Sequence, residues 1–168
     1  MPSASTETML NIRTATAGDV PLILDLIRAL AEYERAPQEV ETTGEDLLRD
    51  GFGPDPKFRV VIAEWQRQPA GFAFFFSHYS TWRGRAGVYL EDLFVRPEFR
   101  GKGIGKALLR YLAGVAVREN CYGMRWQVLD WNTPAIEFYK ALGAEVMQEW
   151  LTVRLAGEAL QRLAEERP

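Results

Sequence analysis

The sequence predicts a mixed α/β fold: a sheet with antiparallel N-terminal strands, element order β-α-α-β-β-β-α-β-α-β, and a C-terminal helix. Three observations predict it. Two long amphipathic helical patterns cover residues 17–34 and 103–118. Between them lie three β-rich runs joined by short turns, which read as an antiparallel meander. After the second helix, strand and helix signals alternate.

Each element has its own justification. Residues 9–14 read as the first strand. Thr16 stands three residues before Asp19 in an N-cap pattern, with Pro21 early in the helix. Val20, Ile23, Leu24, Ile27, Leu30 and Ala31 recur at helical spacing, so 17–34 is an amphipathic helix ending near Pro37. Thr43, with Glu45 and Asp46, opens a shorter helix closed by Gly51 and Gly53. Residues 58–65 and 70–79 are strands, joined by a hairpin loop at 66–69. A Gly/Arg-rich turn at 82–87 leads to the strand 88–95, stopped by Pro97. The helix 103–118 carries its apolar stripe on Ile104, Leu108, Leu112 and Val115. Residues 124–129 are a fifth strand. Asn132 caps a helix with Pro134 in its first turn and Gly143 at its end. Residues 150–155 read as a late strand, and 158–165 as a terminal helix with Leu160 and Leu163 inward.

The 168 residues suit a single domain spanning 1–168, and a chain of this size buries roughly 70% of its unfolded surface. Residues 1–8 are expected to be loose and to carry no targeting signal. The longest apolar run is far short of a membrane span, so a cytoplasmic protein is expected. A net charge of −3 and a pI near 5.3 argue against nucleic-acid binding. One cysteine, Cys121, excludes an internal disulfide and suggests a reducing compartment. One histidine, His78, leaves too few ligands for a Cys/His zinc site and weakens a histidine-based hydrolase reading. Any catalysis must then rest on carboxylates, Tyr, Lys, Ser or backbone groups.

The sharpest local feature is Arg100-Gly101-Lys102-Gly103-Ile104-Gly105-Lys106, which follows a strand and opens a helix. Glycines there permit positive φ and close backbone approach. A helix N-terminus offers unpaired N–H groups and the positive end of its dipole, which together suit phosphate. A Walker loop fails because Arg100 stands where its first Gly belongs and Ala107 follows Lys106. A Rossmann fingerprint fails because its last place falls on Lys106 or Leu108.

The strand before this loop is apolar except for Glu91 and Asp92. Burying an unpaired carboxylate is costly. Adjacent strand residues point to opposite faces, so the two acids are not expected to share a pocket. Either one is a buried structural acid and the other faces a cleft, or both are structural.

The spacing Arg100, Gly103, Gly105 resembles the pyrophosphate loop of the GNAT N-acetyltransferases. Tyr89-Leu90-Glu91-Asp92 before it resembles the diamine acetyltransferase branch of that superfamily. So do residues 26–34, Asp46-Leu47-Leu48 with Asp50-Gly51-Phe52-Gly53, Trp131-Asn132-x-Pro134, and Phe138-Tyr139-Lys140 before Gly143-Ala144. The similarity spans about residues 9 to 165.

This resemblance implies an enzyme that moves the acetyl group of acetyl-CoA to a primary amine by direct attack. It implies Glu91 as the base, direct or through water, and Tyr139 as the acid that protonates the leaving thiolate. It implies that the Val95 backbone N–H polarises the thioester oxygen where the strand splays. The cofactor would lie along Phe94, Val95, Arg96, Arg100, Gly101, Lys102, Gly103, Ile104, Gly105 and Lys106, with Asn132 and Lys140 also holding it. The amine would meet Tyr33, Glu34, Trp82, Glu91, Asp92, Arg125, Trp126, Gln127 and Glu149. A homodimer with the late strands near its interface is also implied. A polyamine, a thialysine-type amino acid and another small primary amine all remain open. So do a non-catalytic acetyl-CoA-binding module and a protein or peptide N-acetyltransferase on the same fold. No metal, nucleic acid or membrane partner is expected.

Overall fold

The structure, a computed structural model, describes residues 9–166. The loose start expected at 1–8 lies outside the described residues. The chain divides into two compact units, Met1–Gln127 and Val128–Pro168.

The first unit is a five-stranded sheet in the order β1-β2-β3-β4-β5. Its strands are β1 (Leu10–Thr14), β2 (Arg59–Trp65), β3 (Gln68–Ser80), β4 (Arg85–Val95) and β5 (Met124–Arg125). The first four pair antiparallel in sequence order, whereas β5 joins β4 in parallel. Three helices belong to this unit: α1 (Val20–Tyr33), α2 (Gly44–Phe52) and α3 (Ile104–Arg118). The mixed α/β fold expected from the sequence is therefore present.

Local chemistry explains the element ends. Asp19 accepts from the Thr16 backbone N–H at 2.8 Å, in a short 3-10 turn that runs into α1. Thr43 and Asp46 cap α2 reciprocally. The β2–β3 connection is tighter than the expected 66–69 loop: only Gln66 and Arg67 turn, both with positive φ. Neither is a Gly or Asn, so composition did not mark them. Arg13 of β1 binds Asp19 and Glu64 together at 2.7–2.8 Å, tying β1 to the entry of α1 and to β2.

Alternation divides the core. On one face Ile62, Phe72 and Phe94 pack with Val20, Ile23 and Leu26 of α1 and with Leu47 of α2. Phe75 and Leu90 point to the other face, where α3 packs on β3 and β4. The α3 stripe Ile104, Leu108, Leu112 and Val115 is buried as its spacing predicts. Leu26, absent from the expected α1 stripe, is fully buried.

The second unit holds α4 (Thr133–Ala141) and α5 (Gly157–Glu165). Three expectations are corrected around here. The fifth strand covers only Met124–Arg125 rather than 124–129. Residues 150–155 form no strand, because no neighbouring strand among the described residues pairs their backbone; Leu151 and Val153 are 86% and 91% exposed. Leu160 and Leu163 are half exposed rather than inward. Among the described residues no helix is long and apolar enough to cross a membrane.

Candidate active site

The β3–β4 ladder breaks its register at one point. Phe74 pairs with Asp92 and Phe75 with Leu90, so Glu91 is the extra residue of a bulge. Below the bulge Tyr89 faces the α1 side with Phe76, and above it Asp92 faces that side with Phe74. Glu91 is thereby turned to the same side, and both acids line one cleft. The expectation that they point apart is corrected, since strict alternation fails where a residue is inserted. No Gly or Pro at 90–92 signals the bulge in the sequence.

The cleft is open to solvent and has a volume of about 590 Å³. Its floor is Phe58, Phe74 and Phe76, with Phe58 and Phe74 stacked at 4.1 Å between ring centroids. Ile27 of α1, Leu47 of α2, Thr42 and Lys57 complete the lining. None of these seven was a predicted site residue. Only the alternation of Phe72, Phe74 and Phe76 along β3 hints at the floor in the sequence. Gly51 of α2 makes room for the floor, because a Cβ there would overlap the Phe58 ring.

Carboxylates dominate the electrostatics of the cleft. Burial pushes the Asp92 carboxyl up to about 7, with further upward pressure from the Glu91 and Glu34 charges. Burial also raises Glu34, which follows the last residue of α1. The structure therefore brings three predicted residues, Glu34, Glu91 and Asp92, into one electrostatic neighbourhood.

Strand β4 then runs into the glycine loop. Gly101 and Gly103 have φ of 75° and 77°, and no atom lies within 4 Å of a Cβ built on either. Backbone conformation, not space, therefore selects glycine. Gly103 is the N-cap of α3, and the first intrahelical bond there runs from the Ala107 N–H to the Gly103 carbonyl. The N–H groups of Ile104, Gly105 and Lys106 thus precede the helical ladder and point out of its positive end. Lys102 stands over the Trp65 ring at 5.4 Å, and Lys106 is exposed. This donor set fits a pyrophosphate.

Arg100 is exposed but tied down. Its Nε donates to the Val95 carbonyl at 3.0 Å, and its guanidinium lies 4.6 Å from the Tyr33 ring and 5.7 Å from that of Phe94. Arg96 pairs with Asp25 at 2.6 Å. A Cβ on Gly71 would overlap the Phe94 carbonyl oxygen, so that oxygen points at β3. Across a trans peptide the Val95 N–H points the opposite way. On that side β5 pairs with β4 only as far as Tyr89, so the two strands part before Val95.

Other predicted residues lie elsewhere. Trp82 is on the β3–β4 turn, 89% exposed, and does not line the cleft. Arg125 pairs with Tyr89 in the ladder; burial and the Glu91 charge hold the Tyr89 phenol above its ordinary value against the Arg125 charge, and burial together with the Arg125 charge holds His78 below its own. Trp126 and Gln127 follow it at the end of the first unit. His78 shares a 3.2 Å hydrogen bond with the Tyr122 hydroxyl. In the second unit, Asn132 Oδ1 accepts from the Ala135 N–H at 3.4 Å and caps α4. Tyr139, seven residues on, shares that helix face. Lys140 pairs with Glu137 at 3.1 Å, and Glu149 is exposed in an irregular segment.

Fold and site together are those of an α/β group-transfer enzyme. The profile of the acetyltransferase (GNAT) family matches residues 23–144. The chain is 43% identical over 164 residues to thialysine N-epsilon-acetyltransferase of Bos taurus, covering 91% of this chain and 96% of that protein. It is 41% identical over 125 residues to an L-ornithine N5-acetyltransferase of Arabidopsis thaliana, covering 74% and 52%. Among solved structures, an integron cassette protein from V. cholerae superposes with a TM-score of 0.79 at 26% identity, covering 95% and 99%. The chain belongs to the GNAT acetyltransferase family and is an N-acetyltransferase.

Proposed function

We propose that the chain transfers the acetyl group of acetyl-CoA to a primary amine of a small cationic substrate, a diamine, a polyamine or a lysine-like amino acid. The observation that carries this reading is the Glu91–Asp92 pair, turned by a bulge onto one cleft beside Glu34 and borne on the strand that feeds the glycine loop. The names of the curated relatives, thialysine and L-ornithine acetyltransferases, support the same substrate range.

Acetyl-CoA supplies an activated thioester. The N–H groups at Ile104, Gly105 and Lys106 receive its pyrophosphate, with charge from Lys102 and Lys106. The resemblance assigns Phe94, Arg96, the loop 100–106, Asn132 and Lys140 to the cofactor, and Arg100 ties the loop to β4. The Val95 N–H donates to the carbonyl oxygen as charge develops there. The carboxylates draw the ammonium into the cleft. A substrate ammonium has a pKa near ~10 and must lose a proton before it attacks. Glu91 takes that proton, directly or through water. Burial, with the Glu91 and Glu34 charges beside it, pushes the Asp92 carboxyl up to about 7, so Asp92 holds its proton part of the time near neutral pH. The resemblance assigns Tyr33, Arg125, Trp126, Gln127 and Glu149 to the amine. Tyr139 gives its phenolic proton to the departing sulfur, so no acyl-enzyme is needed.

The exposed Trp150, Leu151 and Val153 support a homodimer that covers the second unit's late segment. The single cysteine supports a cytoplasmic setting. The test is CoA release from acetyl-CoA with a panel of polyamines, diamines, lysine, thialysine and peptides. Turnover restricted to small cationic amines is expected. Background thioester cleavage with every amine, while acetyl-CoA still binds, refutes the reading.

A further inference from the structure

Two arginines flank the 3-10 turn Pro97–Phe99 that carries β4 into the glycine loop, and α1 grips both. Arg96 donates to an Asp25 carboxylate oxygen at 2.6 Å. Arg100 lies with its guanidinium carbon 4.6 Å from the Tyr33 ring centroid, while its Nε donates to the Val95 carbonyl at 3.0 Å. Asp25 and Tyr33 stand two turns of α1 apart, so the two grips are about 12 Å apart along the helix. Backbone bonds close the turn between the arginines, from the Phe99 N–H to the Arg96 carbonyl at 2.9 Å and from the Arg100 N–H to the Pro97 carbonyl at 3.2 Å.

The end of α1 is itself fixed. Arg35 takes a left-handed φ of 64°. The Ala36 N–H donates to the Ala31 carbonyl at 2.9 Å, and the Arg35 N–H to the Glu32 carbonyl at 3.1 Å. These two bonds are those of a Schellman closure, which satisfies the last carbonyls of the helix. Consecutive residues at this fixed end serve different neighbours. Tyr33 covers Arg100 at the start of the loop, whereas the Glu34 charge acts on Asp92 in the cleft.

We infer that Tyr33 is a positioning residue for acetyl-CoA: its ring holds Arg100, and Arg100 holds the end of β4 and the start of the glycine loop in place. The inference rests on the acetyl-transfer reading above, and it moves Tyr33 from the amine, where the resemblance puts it, to the cofactor loop. A glycine-rich loop has much conformational freedom to lose when it closes on a ligand. A loop already tied to α1 and β4 loses less, and so binds more tightly. The contact contributes about two- to fivefold in affinity, the scale of a cation–π pair at an exposed site. Lysine is a poor replacement for Arg100, because its ammonium lacks the planar fork that stacks on a ring and donates through Nε at once.

The experiment titrates CoA into the full chain by calorimetry, where the stoichiometry reports the folded fraction and Kd does not depend on it. Tyr33→Leu should weaken CoA binding about two- to fivefold, and Tyr33→Phe, which keeps a ring under the guanidinium, should retain the wild-type Kd. Arg100→Lys should weaken binding at least as much as Tyr33→Leu. Adding Tyr33→Leu to Arg100→Lys should then change Kd little further, since both substitutions break one contact. In steady-state kinetics the Tyr33→Leu effect should fall on the KM for acetyl-CoA more than on the KM for the amine. An unchanged CoA Kd in Tyr33→Leu, or full additivity in the double variant, overturns the positioning role and leaves the acetyltransferase reading standing. A loss confined to the amine KM also overturns it and returns Tyr33 to the amine. A wild-type chain that binds no CoA removes the acetyl-transfer reading, and the positioning role falls with it.

Discussion

Gly71 stands opposite Val95 in the β3–β4 ladder, and its missing Cβ makes room for the carbonyl oxygen of Phe94. That close approach directs the Phe94–Val95 peptide, with its carbonyl toward β3 and the Val95 N–H toward the gap where β4 and β5 part. A core position thus sets the aim of the Val95 backbone donor at the end of β4 that feeds the glycine loop.

Gly71→Ala is therefore expected to cost about 1–3 kcal/mol of stability, the range for overpacking. It should also lower kcat more than it weakens acetyl-CoA binding. Thermal unfolding, kcat and CoA titration of the variant check this. A normal kcat at saturating substrates removes the Val95 N–H from the mechanism.

Gly103 tests the loop by conformation alone. Its φ is 77°, and nothing lies within 4 Å of a built Cβ. Gly103→Ala should lose about 1–2 kcal/mol through left-handed strain and bind acetyl-CoA more weakly. Gly103→Asn should lose less on both counts, because Asn tolerates that region better. Equal stability and affinity for all three proteins contradicts the strain account.

Asp92 predicts a pH dependence of stability. Its carboxyl lies at about 7 in the folded chain, against roughly 3.9 unfolded. Between those values the folded protein binds more protons than the unfolded one, so stability falls as pH rises. Asp92→Asn removes this cost. Its Tm gain over the wild type should be small near pH 5, grow toward pH 7 and level off above it. Thermal unfolding from pH 5 to pH 8 checks this, and a pH-independent difference refutes it.

Tyr139 lies on α4 on the same face as the capping Asn132. Tyr139→Phe keeps the ring and its packing beside Phe138. It is expected to lower kcat about 10-fold or more, as for loss of a general acid, with acetyl-CoA affinity little changed. An unaltered kcat under conditions where chemistry limits the rate excludes this role.

The legible parts of this protein share a property: their signals are local. The Arg100–Lys106 loop reads as strand, glycine turn and helix start because φ preferences and capping act within a few residues. The α3 stripe reads from its period for the same reason. Lys57 was not legible as a lining residue, since only the pairing of β2, β3 and β4 brings it to the cleft that Glu91 lines. The strand expected at 150–155 failed because propensity supplies no partner, and a strand without one has no ladder.

From the sequence by itself came the α/β class, the glycine loop, and the expectation that any catalysis rests on carboxylates, Tyr, Lys, Ser or backbone groups. Whether Glu91 and Asp92 line one cleft was decided only by tertiary structure. Alternation within an isolated strand sets them on opposite faces, and only pairing with β3 inserts Glu91 as a bulge and turns both acids onto one cleft.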